Sequence, residues 1–315
     1  MVSSKALGNM TTKIAEIIKA HQSFEVITHK SPDEDAVGAS RALGLALVTL
    51  GKSVCLVYPT PVPDILDFTD KPLEQDHLAI EITFLVDVSD MAMLANTKPR
   101  GKVVVIDHHR TTNNIGVASW IDSEKSSTCE MIYDLLCRMN VTITPSIAAN
   151  LYMGIFGDTG GFMHANTTVR VFQIAHKLVA AGADAHRIAY QIKKTKALAY
   201  YNILCAVMNR MIIRGGLYAG YVSSEDMNRF NARQEDASGI VEEIASIAGS
   251  KLIIFLKEQS EGTLSCSIRS KIPDAALKTA TAFGGGGHGM AAGFTIKGRP
   301  DVLIHEIIKE GLKWL

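Results

Sequence analysis

The 315-residue sequence has no CxxC spacing, and its five cysteines, Cys55, Cys129, Cys137, Cys205 and Cys266, are scattered and odd in number. This argues against a disulfide framework and against a thiolate zinc site, and it fits a reducing cytosol. Charge of one sign is not in excess either, since Lys and Arg number 32 and so do Asp and Glu. Such a chain lacks the surplus positive charge that binds the backbone of long single strands or duplexes by counterion release. Any nucleic-acid partner is therefore expected to be short or held by a local patch. Long apolar runs are missing as well. The segment GLALVTL stops at Gly51 and Lys52, too short to span a bilayer. Lys13, Glu16 and Lys19 interrupt the N-terminal apolar residues, so that stretch reads as an amphipathic helix and not a signal peptide. A soluble, cytoplasmic chain with no membrane partner is expected. There is no internal repeat or low-complexity tract.

What is present is enough apolar residue, 47% of the chain, to bury a sizeable core, and the length favours two domains. Apolar runs FEVIT (24–28), SVCLVY (53–58), ITFLVDV (82–88) and KVVVID (102–107) alternate with helical patterns, one of them from Ala36 to Leu50. Alternation of this kind predicts an α/β fold with a parallel sheet, and near-continuous apolar strands predict helices on both of its faces. From Ser126 to Ala181 the pattern is helical, with starts at SSTCE, at Pro145 and at NTT in 166–168. A helical connector is expected over 186–212, between a first domain over 1–185 and a smaller α+β domain over 213–315. In the latter, LYAGYV, KLIIFLKE, TLSCSIRS and AAGFTI read as strands, with helices near 274–282 and from Val302.

Chemistry-bearing residues gather at the ends of these elements. His29, Asp33 and Asp35 lie in the loop after the first strand, Asp87 ends the third, Asp107, His108 and His109 end the fourth, and Asp158 closes a helical run. Taken singly, the acidic residues could cap helices or satisfy strand ends. A carboxylate where a buried strand exits is costly unless paired or metal-bound, however, and the first three clusters sit on consecutive strands of one sheet. Loops at the carboxyl ends of parallel strands are where open α/β sheets place ligands. Four Asp and two His hold two divalent ions only if one carboxylate bridges. The mixed oxygen and nitrogen donors suit Mn²⁺, with Mg²⁺, Co²⁺ and Fe²⁺ as alternatives. Two such ions can clamp both oxygens of a phosphoryl displacement, so phosphoester or phosphoanhydride hydrolysis is the expected reaction.

In the second domain Arg269, in LSCSIRSK, and the tract FGGGGHGMAAG (283–293) form a further candidate. Consecutive glycines permit close backbone approach and can form an anion-binding nest, although a turn is the usual meaning of such a run. His288, Ser267, Arg269 and Lys271 add partners that a phosphate accepts. The expectation is a substrate-phosphate clamp facing the metal site across an interdomain cleft.

These motifs together resemble the DHH phosphoesterase superfamily over nearly the whole chain. The matching segments are His29 to Ser40, Asp87, Asp107 to Asn114, Asp158-Thr159-Gly160 and SWIDSEKSSTCEMIYDLL, with SIRS and GGGGHGMAAG similar to the DHH-associated C-terminal domain. Within the superfamily the pattern is most similar to NrnA-type enzymes. The resemblance implies a hydrolase that cleaves very short oligonucleotides, including dinucleotides, to mononucleotides and removes the 3′-phosphate of 3′-phosphoadenosine 5′-phosphate (pAp). It implies one metal on His29, Asp33 and Asp87 and another on Asp35, Asp87, His108 and Asp158, with a hydroxide between them as nucleophile. It also implies that His109 lies beside the scissile phosphate, that Asp107 orients the histidine pair, and that Arg269, Gly285, Gly286, Gly287 and His288 hold substrate, with Ser270 and Thr159 as weaker members. Gly161, Met163 and Gly289 depart from the family pattern, which bears on substrate preference. Alternatives are hydrolysis of linearised cyclic dinucleotides, a RecJ-type single-strand exonuclease and a non-catalytic nucleotide sensor. A homodimer is expected on base rate alone.

Overall fold

The computed structural model describes residues 4–73, 79–88, 90–109, 116–260, 262–287 and 289–315. The chain divides into two compact units, Met1–Thr195 and Lys196–Leu315. The first contains α1 (Ser4–Ala20), β1 (Ser23–Ile27), α2 (Glu34–Thr49), β2 (Ser53–Val57), β3 (Ile82–Val86), β4 (Lys102–Asp107), β5 (Ala118–Ile121), α3 (Thr128–Arg138), α4 (Pro145–Asp158), α5 (Val169–Ala180) and α6 (Ala185–Lys194).

All five strands pair in parallel, in the order β2-β1-β3-β4-β5. The chain steps from β1 to β2 on one side and then crosses to β3 on the other, so the order reverses between β1 and β3. In open α/β sheets that reversal leaves a crevice at the carboxyl ends of the two strands. Phe24, Val26, Phe84, Val104 and Ile106 form the sheet side of the main core, beneath residues of α1 to α5. A smaller cluster of Ile27, Leu85, Val88, Leu94 and Val105 covers the other face, where the short 3-10 helix Met91–Leu94 contributes. The sequence pattern does not announce the fifth strand, β5.

Helix starts follow local side-chain chemistry. Ser127, Thr144 and Thr168 accept hydrogen bonds from the backbone N–H of Glu130, Ile147 and Val171 at the starts of α3, α4 and α5. Asp33 does the same for Ala36, so α2 begins two residues earlier than its apolar pattern suggests. Helices α2 and α4 meet at backbone distance because glycine leaves room. A Cβ on Gly38 would stand 2.4 Å from the Asn150 carbonyl oxygen, and one on Gly154 would stand 2.3 Å from Cys129 Sγ and 2.7 Å from Asp35 Oδ1. This close approach brings Asp35, in the first turn of α2, near Asp158 at the end of α4.

The second unit contains α7 (Leu198–Asn209), β6 (Ile212–Arg214), β7 (Leu217–Val222), α8 (Ser224–Arg229), α9 (Ile240–Ala245), β8 (Leu252–Ser260), β9 (Thr263–Ser270), α10 (Ala275–Thr281), β10 (Gly286–Gly287), β11 (Ala291–Lys297) and α11 (Pro300–Gly311). Its sheet has the order β10-β11-β9-β8-β7-β6, antiparallel except where β7 meets β8. One sheet face packs on residues of α10 and α11, and the other packs on residues of α7 and α9. The 186–212 segment, expected as a helical connector, contains most of α6 and all of α7. Ile188 and Ile192 of α6 enter the first core, whereas Tyr200, Ile203 and Val207 of α7 enter the second. Each helix carries its own apolar stripe and buries it on a different unit. Among the described residues no helix is long and apolar enough to cross a membrane.

Candidate metal centre and second-unit pocket

The sheet edge gathers the residues that the sequence scattered. His29 and Asp33 follow β1, Asp87 follows β3, and Asp107, His108 and His109 end or follow β4. His29 Nε2 lies 3.3 Å from Asp87 Oδ2 and 3.7 Å from Asp33 Oδ1. His108 Nε2 lies 3.0 Å from Asp158 Oδ2, 3.7 Å from Asp87 Oδ1 and 4.0 Å from Asp35 Oδ2. His109 Nδ1 is 2.9 Å from Asp107 Oδ1 and 3.3 Å from Asp87 Oδ1. Three groups could each hold an ion: His29, Asp33 and Asp87; Asp35, His108 and Asp158; and Asp87, His108 and His109. Asp87 is shared, and it reaches all three imidazoles from a left-handed backbone turn at φ 59°. That conformation is uncommon outside glycine, though aspartate adopts it more readily than most residues.

The electrostatics of the cluster call for a cation. Asp35, Asp87 and Asp107 are buried, at 0%, 1% and 0% exposure, which in the absence of positive charge is expensive. Among the described residues no Lys or Arg forms an ion pair with Asp33, Asp35, Asp87, Asp107 or Asp158; the ion pairs are all to histidine. Burial, followed by the charges of Asp158 and Asp87, pushes the Asp35 carboxyl well above its usual range. Burial likewise lifts Asp158 to about 6 against the pull of His108. Burial would also raise Asp87, but hydrogen bonds from His109 and His29 outweigh it and hold that carboxyl well below the usual range. The histidines move oppositely. Burial disfavours the His29 cation, yet Asp33 and Asp87 raise it to about 11, and Asp158 and Asp35 raise His108 to about 9 in the same way. Hydrogen bonds to Asp107 and Asp87 raise His109 to about 11. Protons on these rings fill the place of a positive charge that a divalent ion would bring, so the donor set fits such an ion in both type and charge.

Several neighbours fix the donors in place. His29 Nδ1 donates to the Lys30 carbonyl at 2.8 Å, which turns Nε2 toward the carboxylates. The backbone N–H groups of Thr128 and Cys129, at the start of α3, donate to the two Asp35 oxygens at 2.6 and 2.9 Å, and the Thr128 hydroxyl donates to Asp87 Oδ1 at 3.2 Å. The sequence pattern does not single out Thr128; its signal is the SSTCE helix start, in which it is the third residue. Thr159, a weaker substrate candidate, is buried instead, with its hydroxyl donating to the Ile155 carbonyl and accepting from the Phe162 N–H. Those bonds close the end of α4.

In the second unit, Arg269 lines a pocket of about 230 Å³ with Glu242, Lys257, Ser238, Ser265 and Ser267. Glu242 Oε1 accepts from Arg269 Nε at 3.1 Å and from Nη2 at 2.7 Å. Lys257 donates to the Gln234 carbonyl, and burial lowers the pKa of its ammonium below the usual value. Neither Glu242 nor Lys257 was singled out from sequence, because α9 was not read as an element and Lys257 resembled any polar strand position. Ser270, expected to meet substrate, is buried and spends its hydroxyl inside the turn that follows β9, bonded with the Ile272 N–H and carbonyl. Gly286 and Gly287 form the edge strand β10 against β11, and a Cβ on Gly285 would stand 2.3 Å from the Gly293 carbonyl oxygen. The glycine run therefore serves hairpin packing two strands from Arg269, which pairs with Ala291 of β11. His288 lies outside the described residues.

Comparison with known proteins agrees with this architecture. Residues 23–155 match the DHH family, N-terminal domain, and residues 216–313 match the DHHA1 domain. The chain is 32% identical to the bifunctional oligoribonuclease and PAP phosphatase NrnA of Thermus thermophilus over 292 residues, 90% of this chain and 88% of that one. It is 26% identical to the Bacillus subtilis protein of the same name, covering 91% and 93% of the two chains. The fold matches an exopolyphosphatase-related protein from Bacteroides fragilis at TM-score 0.89 and 23% identity, over 97% of this chain and 96% of that one. With a buried Asp and His cluster at the sheet edge and both domain types in order, the chain belongs to the DHH phosphoesterase family, in the two-domain form shared with NrnA.

Proposed function

We propose that this protein hydrolyses very short oligonucleotides to mononucleotides and removes the 3′-phosphate of pAp, using two divalent ions, Mn²⁺ first among them. The observation that carries the reading is the sharing of Asp87 between ion-sized groups of Asp and His at one sheet edge. The names of the relatives supply the substrate class. In this reading His29, Asp33 and Asp87 hold one ion, and Asp35, Asp87, His108 and Asp158 hold the other. Such a pair, when bound, polarises the phosphoryl group and brings the pKa of a water toward about 7.

The chain's own residues account for the rest. His109 is more exposed than His108, with side-chain values of 38% against 15%. Because Asp107 holds His109 by Nδ1, its Nε2 is left to donate to a phosphate oxygen and stabilise developing charge. Asp107 orients that ring. Arg269 and Lys257, with the serine hydroxyls of the pocket, would receive the charged end of the substrate. Balanced charge over the chain disfavours long strands, which need extended basic grooves and stacking platforms. The test is turnover of a diribonucleotide, pAp and long single-stranded DNA with Mn²⁺. The diribonucleotide and pAp should be consumed first, and faster loss of the long strand would overturn the substrate assignment.

A further inference from the structure

Helix α4 ends at Asp158, so the carbonyl there has no helical partner and must find one elsewhere. Two side chains from the following loop supply it: His164 donates from Nδ1 at 3.1 Å, and Asn166 donates from Nδ2 at 3.2 Å. The same Asn166 nitrogen donates at 3.0 Å to the carbonyl of Ser126, 40 residues away in sequence. A side-chain amide nitrogen carries two hydrogens, one for each of these carbonyls. Flipping the amide would set its oxygen against both carbonyl oxygens, so Nδ2 is the atom that lies between them. Asn166 Oδ1 is buried with no hydrogen-bond partner among the described residues. The orientation of the amide is therefore set by its two donor bonds alone.

What those bonds join is the point of interest. On one side is the peptide of Asp158, whose carboxylate stands 3.0 Å from His108 Nε2. On the other is Ser126, beside the Ser127 cap of α3 and two residues before Thr128, whose N–H and hydroxyl hold Asp35 and Asp87. We infer that Asn166 is a positioning residue for the metal centre, a two-pronged tie that sets the spacing between the Asp158 ligand and the Asp35 and Asp87 ligands. The inference rests on the reading of Asp158, Asp35 and Asp87 as ligands. It extends that reading to a side chain that touches neither substrate nor ion. Outer partners of metal ligands characteristically contribute about 10- to 100-fold in affinity or activity.

The test uses the full chain, Asn166→Ala and Asn166→Leu, with Asp158→Asn as the control for the metal reading. Leu keeps the branched outline of Asn without its donors, so it also serves if Ala packs poorly. Mn²⁺ binding is measured by titration calorimetry, thermal stability in EDTA, and kcat and KM on a diribonucleotide. Both Asn166 variants should bind Mn²⁺ about tenfold or more weakly, with EDTA melting close to wild type. Lowered kcat at limiting Mn²⁺ should recover in excess Mn²⁺, with KM for the dinucleotide unchanged. If Asp158→Asn loses Mn²⁺ and both Asn166 variants bind it as wild type does, the tie has no role in the centre and the inference fails alone. If Asp158→Asn also binds Mn²⁺ normally, the ligand reading fails with it. Loss of EDTA melting temperature with unchanged Mn²⁺ affinity would reduce Asn166 to a packing residue and overturn the proposal.

Discussion

The sheet edge of the first unit and the pocket of the second are both lined by charged groups, but their charges are balanced in different ways. At the sheet edge Asp35, Asp87 and Asp107 are buried, and their only ion-pair partners among the described residues are histidines. There the positive charge is carried by protons on the imidazoles, a place that an added cation can take. In the second-unit pocket Arg269 already has a partner in Glu242, and the pair is partly solvated, with side-chain exposures of 36% and 51%. A pair so exposed contributes about 0–1 kcal/mol and is readily exchanged for another anion. In the function proposed above, the first region takes up cations and carries the reaction class, and the second exchanges one anion for another and carries substrate choice.

The contrast can be broken most severely at Asp87. Asp87→Ala removes the carboxylate common to two of the ion-sized groups. Turnover should fall at least about a thousandfold, as when a member of a cooperating catalytic set is lost. Calorimetry should show Mn²⁺ binding reduced as well; wild-type turnover in this variant would dissolve the distinction between the regions. Gly154→Ala attacks the same region through packing. Its Cβ would meet Cys129 Sγ at 2.3 Å and Asp35 Oδ1 at 2.7 Å, so overpacking should cost about 1–3 kcal/mol in urea melts, with Mn²⁺ affinity lowered as Asp35 is displaced. Unchanged melts would mean that the backbone contact of α2 and α4 is not needed.

A gentler probe is pH. Without metal, His29 and His109 sit at about 11 and His108 at about 9, all above the ordinary value of about 6.5 for histidine. The stabilisation they bring is complete below about pH 6.5 and is lost as the pH climbs through 9 to 11. The raised Asp158 carboxyl has the same sign, but its contribution is already lost by about pH 6, so the histidines alone set the slope above pH 7. Stability in EDTA should therefore decline from pH 7 to about pH 10. Mn²⁺ needs bare ring nitrogens, so it should bind more tightly over the same interval and release protons at pH 7, measurable by calorimetry in two buffers of different ionisation enthalpy. The pocket runs the other way, because burial lowers the Lys257 ammonium below its usual value. There, Arg269→Ala should raise KM for the dinucleotide about tenfold with little change in kcat, as expected for a charge-assisted phosphate contact. The smallest effect belongs to Glu242→Gln, which frees Arg269 and should lower KM about threefold. A rise in KM would mean that Glu242 itself binds substrate.

Much of the site was visible in the chain before folding, because strand ends and helix starts are local. The run KVVVID had to end at a sheet edge, and a carboxylate followed by two histidines at that place had few plain explanations. Asp33 shows that the plain reading and the chemical one can coexist, since it caps α2 and also lies 3.7 Å from His29 Nε2. Ser270 and Thr159 show the opposite. Both sit within motifs, yet a neighbouring turn and a helix end take up their hydroxyls, and no local pattern reveals that a polar atom is already engaged. The 186–212 segment reads as a helical connector because few turn residues interrupt it, and the break at 195–197, which stands outside both α6 and α7, has no turn signal of its own.

The main strands of the first unit, the hydrolytic reaction class and the Asp and His side chains at the strand ends were thus legible in the sequence alone, since periodicity, turn chemistry and side-chain type are properties of short stretches. Only the tertiary structure decided who meets whom. The reversal of strand order between β1 and β3 sets His29 beside Asp87. The Thr128 N–H grips Asp35 across 93 residues, and the Asn166 amide reaches Ser126 across 40. In the second unit Glu242 meets Arg269 across 27. Contacts at such separations depend on register and helix packing throughout the unit, and no local pattern encodes them.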